Sequence, residues 1–507
     1  MRLVGGAEMR AIDREAIDAF GIPALTLMER AGRALAEAVK PLLGPRGRAV
    51  AVCGAGNNGG DGYVAARLLR ADGIEARVVA LVPLARLGGD ARSVREAAER
   101  AGVKVADGDG LEAGRGDVVL DALLGTGLDR APEGAFADAI ARIATARAAG
   151  ASVVAADVPS GLSADTGKPL GACVRADRTV TFGFLKRGLV LYPGPFWAGE
   201  VTVADIGIPH EAARRVPVAC ELVTETEVRR LVPARDPEMH KGEAGRVLLL
   251  AGSSGKTGAA HLALLGALRG GAGLVTLAAR PETLPLALAG RPEAMSLPLP
   301  GEGPLRREDL PALADAAARA TAIVAGPGMG FDGDTAELLR LLVQKAKVPV
   351  VLDADALSAF AGAAGALRTL GVPLVVTPHP KEMARLCGTT LEVVQEDRIA
   401  FAAERAQAWN AAVVLKGART VVADPSGPPG VIPTGNAGMA TGGTGDVLAG
   451  LTGALLAGGI APGAAARVAA WVHGRAGDLA ARRLGQRGLL ASDLGDALGE
   501  VWAEWGR

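Results

Sequence analysis

Neither sign of charge prevails along these 507 residues, where 55 Lys and Arg are matched by 55 Asp and Glu. Without a surplus, bulk charge holds neither a polyanion nor an acidic bilayer, so nucleic acid and membrane surfaces are excluded as ordinary partners. Cysteine is scarce. The four present, Cys53, Cys173, Cys220 and Cys387, form no C-x-x-C pair, which excludes a disulfide framework or zinc ribbon and fits a reducing, cytoplasmic setting. None of the five histidines stands at metal-ligand spacing. An uninterrupted apolar run is missing too. Val447–Ala466 carries no charge, but Gly458, Gly459, Pro462 and Gly463 divide it into a helix, a turn and a second helix rather than a membrane span. The opening "MRLVGGAEMRAIDREAI" lacks the apolar centre of a signal peptide and reads as a surface or packing helix.

Two further absences concern phosphate. "AGSSGKTG" (251–258) has the second half of a nucleotide-cradling loop, but the position of its first glycine is Leu250. "GAGNNGGDG" (54–62) fits the dinucleotide fingerprint through Gly54, Gly56 and Gly59, yet the next strand ends "VVALV", with no acidic residue for a ribose.

What is present is a hydrophobic fraction of 49%, enough for real cores, arranged as short β-branched runs alternating with Ala/Leu/Arg-rich segments. That alternation predicts parallel sheets covered on both faces. The pattern loosens over 210–245, which places a boundary near 215–225, and then resumes with different glycine motifs. The fold class is therefore α/β in two domains, 1–218 and 222–507.

In open α/β sheets ligands collect where strands end, and the informative loops lie there. Asp121 and Asp157 each end a strand in the first domain. Asn58, Asp121 and Ser160 offer one carboxylate and neutral oxygens, a donor set suited to a monovalent cation. In the second domain "NAGMATGGTGDVLAGLTGALLAG" (436–458) carries Gly443-Thr444-Gly445-Asp446 into an apolar helix. Amides at such a helix start form an anion hole, and Asp446 beside them is placed to deprotonate a hydroxyl attacking phosphorus.

"NNGGDG", "DALLGTGL", "DVPSGL", "TFGFLKRGL" and "DIGIP" resemble the NAD(P)H-hydrate epimerase family, whose first domain is a Rossmann-like three-layer sandwich. "AGSSGKTG", "AGPGMG", "DADAL", "TPHPKEMARL", "LKGART" and the G-T-G-D loop resemble the ADP-dependent NAD(P)H-hydrate dehydratases of the ribokinase superfamily, implying a ribokinase-like second domain. The first resemblance implies potassium on Asn58, Asp121 and Ser160. It implies hydrate contacts from Asn57, Asn58, Gly59, Gly60, Asp61, Gly125, Thr126, Gly127, Leu128, Asp129, Arg130, Ala131 and Asp157, with Lys186 a further candidate and Asp121 and Asp157 moving protons. The second implies hydrate contacts from Gly328, His379, Pro380, Lys381, Glu382, Met383, Ala384, Arg385 and Asp446. It also implies ADP contacts from Lys416, Gly417, Ala418, Arg419, Thr420, Asn436, Ala437, Gly438, Met439, Ala440, Thr441, Gly442, Gly443, Thr444 and Gly445, with magnesium accompanying ADP and Asp446 as the base. Lys256 is left as an anion contact, and Asp353 and Asp355 as capping residues outside the catalytic set.

Together these imply repair of hydrated NADH and NADPH by epimerisation of the R and S forms and ADP-driven dehydration of the S form, in a homo-oligomer. Two other readings share some of the motifs. One is a kinase for a small hydroxymethyl heterocycle, which has G-T-G-D without the "TPHPKEMARL" and "LKGART" set. The other is a sensing or scaffold module that has kept the first fold without its chemistry.

Overall fold

The computed structural model describes residues 1–108 and 110–506; Arg507, the last residue of the second expected domain, lies outside them. The chain divides into two compact units, Arg2–Val218 and Ala219–Arg507.

The first unit is built on a seven-stranded, wholly parallel sheet. Its strands are β1 (Ala49–Cys53), β2 (Ala76–Ala80), β3 (Lys104–Asp107), β4 (Val118–Ala122), β5 (Ser152–Ala156), β6 (Arg178–Phe182) and β7 (Glu200–Ala204). They lie in the order β3-β2-β1-β4-β5-β6-β7. Side chains alternate between the two faces. Ala49, Ala51 and Cys53 join the core beneath helices α1 (Gly6–Asp18), α2 (Ala24–Val39) and α3 (Asn57–Ala71). Val50 and Val52 face the opposite core, with Ile140 and Ile143 of α4 (Ala135–Ala148). Burial on both faces is why β1 reads as an unbroken apolar run and β4 as one interrupted only by Asp121. Strand order reverses between β1 and β4, and the crevice that such a switch opens lies beyond their carboxyl ends.

The second unit repeats this logic. Its principal strands are β8 (Arg246–Leu250), β9 (Leu274–Ala279), β10 (Met295–Pro298), β11 (Ala322–Ala325), β12 (Val350–Leu352), β13 (Leu374–Val376), β14 (Ala412–Leu415), β15 (Val421–Ala423) and β16 (Gly430–Val431), with a short strand at Cys220–Leu222 pairing with β16. They run β10-β9-β8-β11-β12-β13-β14-β15-β16, parallel as far as β14. The expectation of purely parallel sheets fails beyond β14, where β15 is antiparallel to both neighbours. The chain turns back there within a short loop, which cannot hold a crossover helix.

Four helices position the second site: α5 (Thr257–Arg269), α6 (Pro380–Cys387), α7 (Thr444–Ala457) and α8 (Pro462–Leu484). The uncharged stretch thus forms a helix, a turn and the start of another helix, and among the described residues no helix is long and apolar enough to cross a membrane. α5 and α7 approach backbone to backbone. A Cβ on Gly450 would lie 1.9 Å from the Ala263 carbonyl oxygen, and one on Gly266 would lie 2.1 Å from that of Val447.

Candidate functional site

Beyond β1 and β4 the first unit holds a cavity of about 560 Å³. Asn57, Asn58, Asp61, Gly125, Thr126, Gly127, Leu128, Asp129, Arg130 and Asp157 all line it, as does Lys186. Gly59 and Gly60 do not. A Cβ on Gly59 would strike the Gly54 carbonyl oxygen at 2.1 Å and one on Gly60 the Met28 side chain at 2.6 Å, so these glycines let the β1–α3 turn close. Ala131 is exposed and outside the lining.

Asp157 sits in a left-handed backbone conformation, φ 63°, which costs free energy for a non-glycine residue and turns the carboxylate inward. Its Oδ1 lies 2.5 Å from Lys186 Nζ and accepts from the Thr181 hydroxyl at 3.1 Å. Lys186 is fully buried and also donates to the Phe182 carbonyl at 2.7 Å, so it is no surface lysine. Asp13 of α1, which sequence reasoning missed, shares the cavity. Burial raises its carboxyl to about 6, with Lys186 opposing and Asp157 adding to the rise. Burial also pushes Asp61 well above the carboxylate range, and the charges of Asp157 and Asp13 push it further. Three carboxylates and one ammonium thus share one cavity, and burial with like charge makes Asp61 the most reluctant of them to ionise. Nothing in the α1 sequence marks Asp13 except its place on the helix's inner face.

Asp121 stands apart from the cavity lining. It is fully buried, its Oδ2 accepts from Ser160 N at 2.8 Å, and its Oδ1 accepts from the Ser160 hydroxyl at 2.6 Å. Asn58 Nδ2 donates to the Leu124 carbonyl at 3.1 Å, and the Ser160 hydroxyl oxygen lies 3.2 Å from that carbonyl, so Asn58, Asp121 and Ser160 stand together at one loop. Burial raises Asp121 to about 6 against the pull of its hydrogen bonds. A desolvated carboxylate surrounded by neutral oxygens, with no Lys or Arg ion pair among the described residues, fits a monovalent cation.

In the second unit four chain segments bring charge together beyond β12, β13 and β14 and at the start of α7. Lys416 Nζ lies 2.8 Å from Asp353 Oδ1 and 3.8 Å from Glu382 Oε2. Asp353 also accepts from the Thr377 hydroxyl at 2.7 Å. Asp446 is raised to about 7, by burial first and then by Asp353, while Lys416 pulls it down and Asp355 and Glu382 push it up. Lys416 overhangs the helix start, because a Cβ on Gly445 would lie 3.2 Å from its Nζ. Asp353, set aside by the sequence reading as a cap, makes no side-chain cap bond to its own helix and instead anchors this ammonium. Gly443, with φ 95°, makes the turn that brings α7's first amides to the same place.

The remaining expected residues divide by position. His379 caps α6: its Nδ1 accepts from Lys381 N and Glu382 N, and Glu382 Oε2 accepts from His379 N at 2.8 Å. Burial lowers its imidazolium below the ordinary value. Met383 and Ala384 are buried on α6's inner face and are packing residues, while Lys381 and Arg385 are exposed beside Pro380. Gly328, with φ 57°, packs against Lys256 and Ala259, and Ser253 donates to its carbonyl at 2.9 Å. Lys256 itself reaches Asp355 at 3.3 Å. The 251–258 turn therefore borders the site at Gly328 and Asp355. Arg398 holds the Lys416–Thr420 turn by donating to the carbonyls of Leu415, Lys416 and Ala418. Asn436 is used internally, accepting from Gly438 N and donating to Asp478 at 2.9 Å. Met439 packs on Gly477.

A family model described as NAD(P)H-hydrate dehydratase matches residues 247–500, and one described as YjeF-related protein N-terminus matches 24–188. The chain is 43% identical over 515 residues to the bifunctional NAD(P)H-hydrate repair enzyme of Moorella thermoacetica, covering 98% of this chain and 96% of that one. Identity to the Escherichia coli enzyme of the same name is 37% over 494 residues, covering 97% and 92%. Among solved structures, the ADP/ATP-dependent NAD(P)H-hydrate dehydratase of Bacillus subtilis, co-crystallised with ATP and Mg2+, matches with 35% identity and a TM-score of 0.50. That likeness covers 56% of this chain and 98% of the other.

Proposed function

Because the chain belongs to the family of bifunctional NAD(P)H-hydrate repair enzymes, we propose that its two activities divide between its two units, epimerisation in Arg2–Val218 and dehydration in Ala219–Arg507. The protein is an epimerase and a dehydratase of hydrated nicotinamide coenzymes. Acting together, the two activities return both epimers to the reduced form.

Dehydration meets a chemical obstacle: hydroxide leaves a ring carbon poorly at neutral pH, whereas a phosphate ester leaves well. Asp446 takes the proton from the hydrate's hydroxyl, and the freed oxygen attacks the terminal phosphorus of ADP, releasing AMP. Lys416 and the α7 amides hold the charge that builds on the phosphoryl oxygens. The ring nitrogen's lone pair then expels phosphate, and loss of a proton from the neighbouring carbon restores the dihydronicotinamide. Magnesium bound with the nucleotide would offset phosphate charge. Among the described residues no three His, Cys, Asp or Glu side chains group as metal ligands, which fits an ion held mainly by phosphates.

Epimerisation is assigned to the cavity carboxylates. Asp157, ion-paired with Lys186, takes the hydroxyl proton as the ring carbon–nitrogen bond opens, and Asp61, whose buried carboxyl favours the protonated form, supplies a proton to the nitrogen. Closure on the other face reverses both transfers. Potassium, held by Asn58, Asp121 and Ser160, would neutralise Asp121 and fix the Leu124 loop at the cavity's edge. A cytoplasmic homo-oligomer completes the proposal.

The observation that carries the dehydratase reading is Asp446, poised near neutrality beside Lys416 at α7's first turn. The test is to incubate the protein with separated epimers of hydrated NADH and either ADP or ATP, following return of the reduced coenzyme's near-ultraviolet absorbance. Recovery with ADP that is lost in Asp446→Asn is expected. No recovery with either nucleotide would sink the reading and favour a hydroxymethyl-heterocycle kinase.

A further inference from the structure

His473, on α8, has no part in the chemistry described so far. It is 8% exposed, and its Nε2 lies 2.8 Å from the carbonyl oxygen of Thr444, the first residue of α7. A carbonyl oxygen can only accept, so Nε2 carries the hydrogen and the imidazole is held in one tautomer. Burial pushes the imidazolium down to about 4; the Thr444 bond works against this, and the nearby Lys416 ammonium adds to it. The ring is therefore neutral wherever Asp446 is ionised.

The carbonyl of Thr444 and the N–H of Gly445 belong to one rigid peptide plane and point in opposite directions. In a helix's first turn the N–H groups lack intrahelical partners and point out of the N-terminus. Lys416 Nζ stands at this same helix start, 3.2 Å from where a Cβ on Gly445 would lie. A hydrogen bond donated to the carbonyl fixes the plane and draws electron density toward its oxygen, which makes the amide N–H at the other end a stronger donor.

We propose that His473 is a positioning residue for phosphoryl transfer: through the Thr444 carbonyl it aims and polarises the Gly445 amide that meets the transferring phosphoryl group. This rests on reading the Asp446 site as the phosphoryl-transfer centre. In that step the hydrate oxygen–phosphorus bond forms and the phosphorus–oxygen bond to AMP breaks, with its electron pair staying on AMP. The hydroxyl proton goes to Asp446, and charge accumulates on oxygens facing the amide. His473 neither gains nor loses a proton. Because that charge peaks in the transition state, losing the polarisation lowers kcat more than it raises KM for ADP.

The test compares His473→Leu with His473→Gln in the full-length protein. Both have similar bulk, but only Gln can donate near the position of Nε2. The expected result is a kcat about tenfold lower in the Leu variant, a lesser fraction than loss of a whole oxyanion donor, with KM for ADP changed less. The Gln variant recovers most of kcat and keeps the wild-type pH profile. Equal kcat in the two variants, or a pH limb removed by Gln, overturns the proposal. Should either variant fail to fold, 15N NMR of the wild-type histidines decides. An Nε2–H tautomer at His473 whose signal moves when magnesium and ADP are added supports the role, whereas an Nδ1–H tautomer or an unmoved signal overturns it. A wild-type protein that ignores ADP sinks the underlying reading as well; active wild type with equal variants sinks only the part given to His473.

Discussion

Asp446 holds its proton more tightly than an exposed aspartate because burial and three neighbouring acids oppose its ionisation more than Lys416 favours it. As a base it works only when ionised, so dehydration rate should fall as pH drops below about 7. A profile flat between pH 5 and 8, with substrate saturating, would remove Asp446 from the base role. The same shift bears on stability. Its folded value lies above the ordinary 3.8, so ionisation is disfavoured by folding, and native stability declines as pH rises from 3.8 toward 7. Asp446→Asn never ionises. It should therefore be more stable than wild type at pH 8, with the gap closing toward pH 4, as parallel denaturant titrations would reveal. In the first unit, Asp157→Asn leaves the buried Lys186 ammonium without its closest counter-charge. Loss of epimerisation is expected, together with a destabilisation of about 3–5 kcal/mol; Lys186→Met with Asp157→Asn should regain much of the stability and none of the activity. Asp446 was legible in the sequence because Gly-Thr-Gly-Asp at a helix start has few other uses. Asp13 and Asp353 were not, since an acid on a helix or after a strand looks the same whether it caps, solvates or faces a ligand.

At the scale of elements, the two glycines between α5 and α7 matter more than their local sequence tells. Gly266 and Gly450 let the helices meet backbone to backbone, and each helix begins at one border of the site: the 251–258 turn and the G-T-G-D loop. Gly450→Ala should cost about 1–3 kcal/mol, since its Cβ would meet a carbonyl and not a flexible side chain. It should also lower kcat more than a surface change of equal stability cost; a melting shift with unchanged kcat would show the packing to be structural only. The principal strands and helices were readable from apolar runs between glycine turns. Edge strands β3, β7 and β10 were not, because their partly exposed residues carry no two-faced apolar run. The antiparallel return at β15 was hidden as well: β-branched residues show a strand without showing its direction.

Considered whole, the molecule uses one arrangement twice, a sheet whose order reverses beside its first strand, and gives it two chemistries. The candidate site lies beyond that reversal in the first unit and beyond β12 to β14 in the second. Each unit has its own core and its own acids, so the activities should separate by single substitutions. Asp446→Asn is expected to abolish ADP-dependent recovery while still interconverting epimers, and Asp157→Asn to recover one epimer and strand the other. Chromatographic separation of the hydrates during turnover checks both; loss of both activities from either change would mean the sites are not independent.

Asp121 carries a consequence beyond turnover. A carboxylate sealed from water with no cationic side chain paired to it among the described residues resists ionisation in the native state alone, so an alkali ion that settles beside it acts as a folding ligand. Replacing sodium by potassium at constant ionic strength should raise one thermal transition and leave any other in place, and Asp121→Asn should erase that response. Salt composition, and not merely concentration, would then set how long the first unit survives heat.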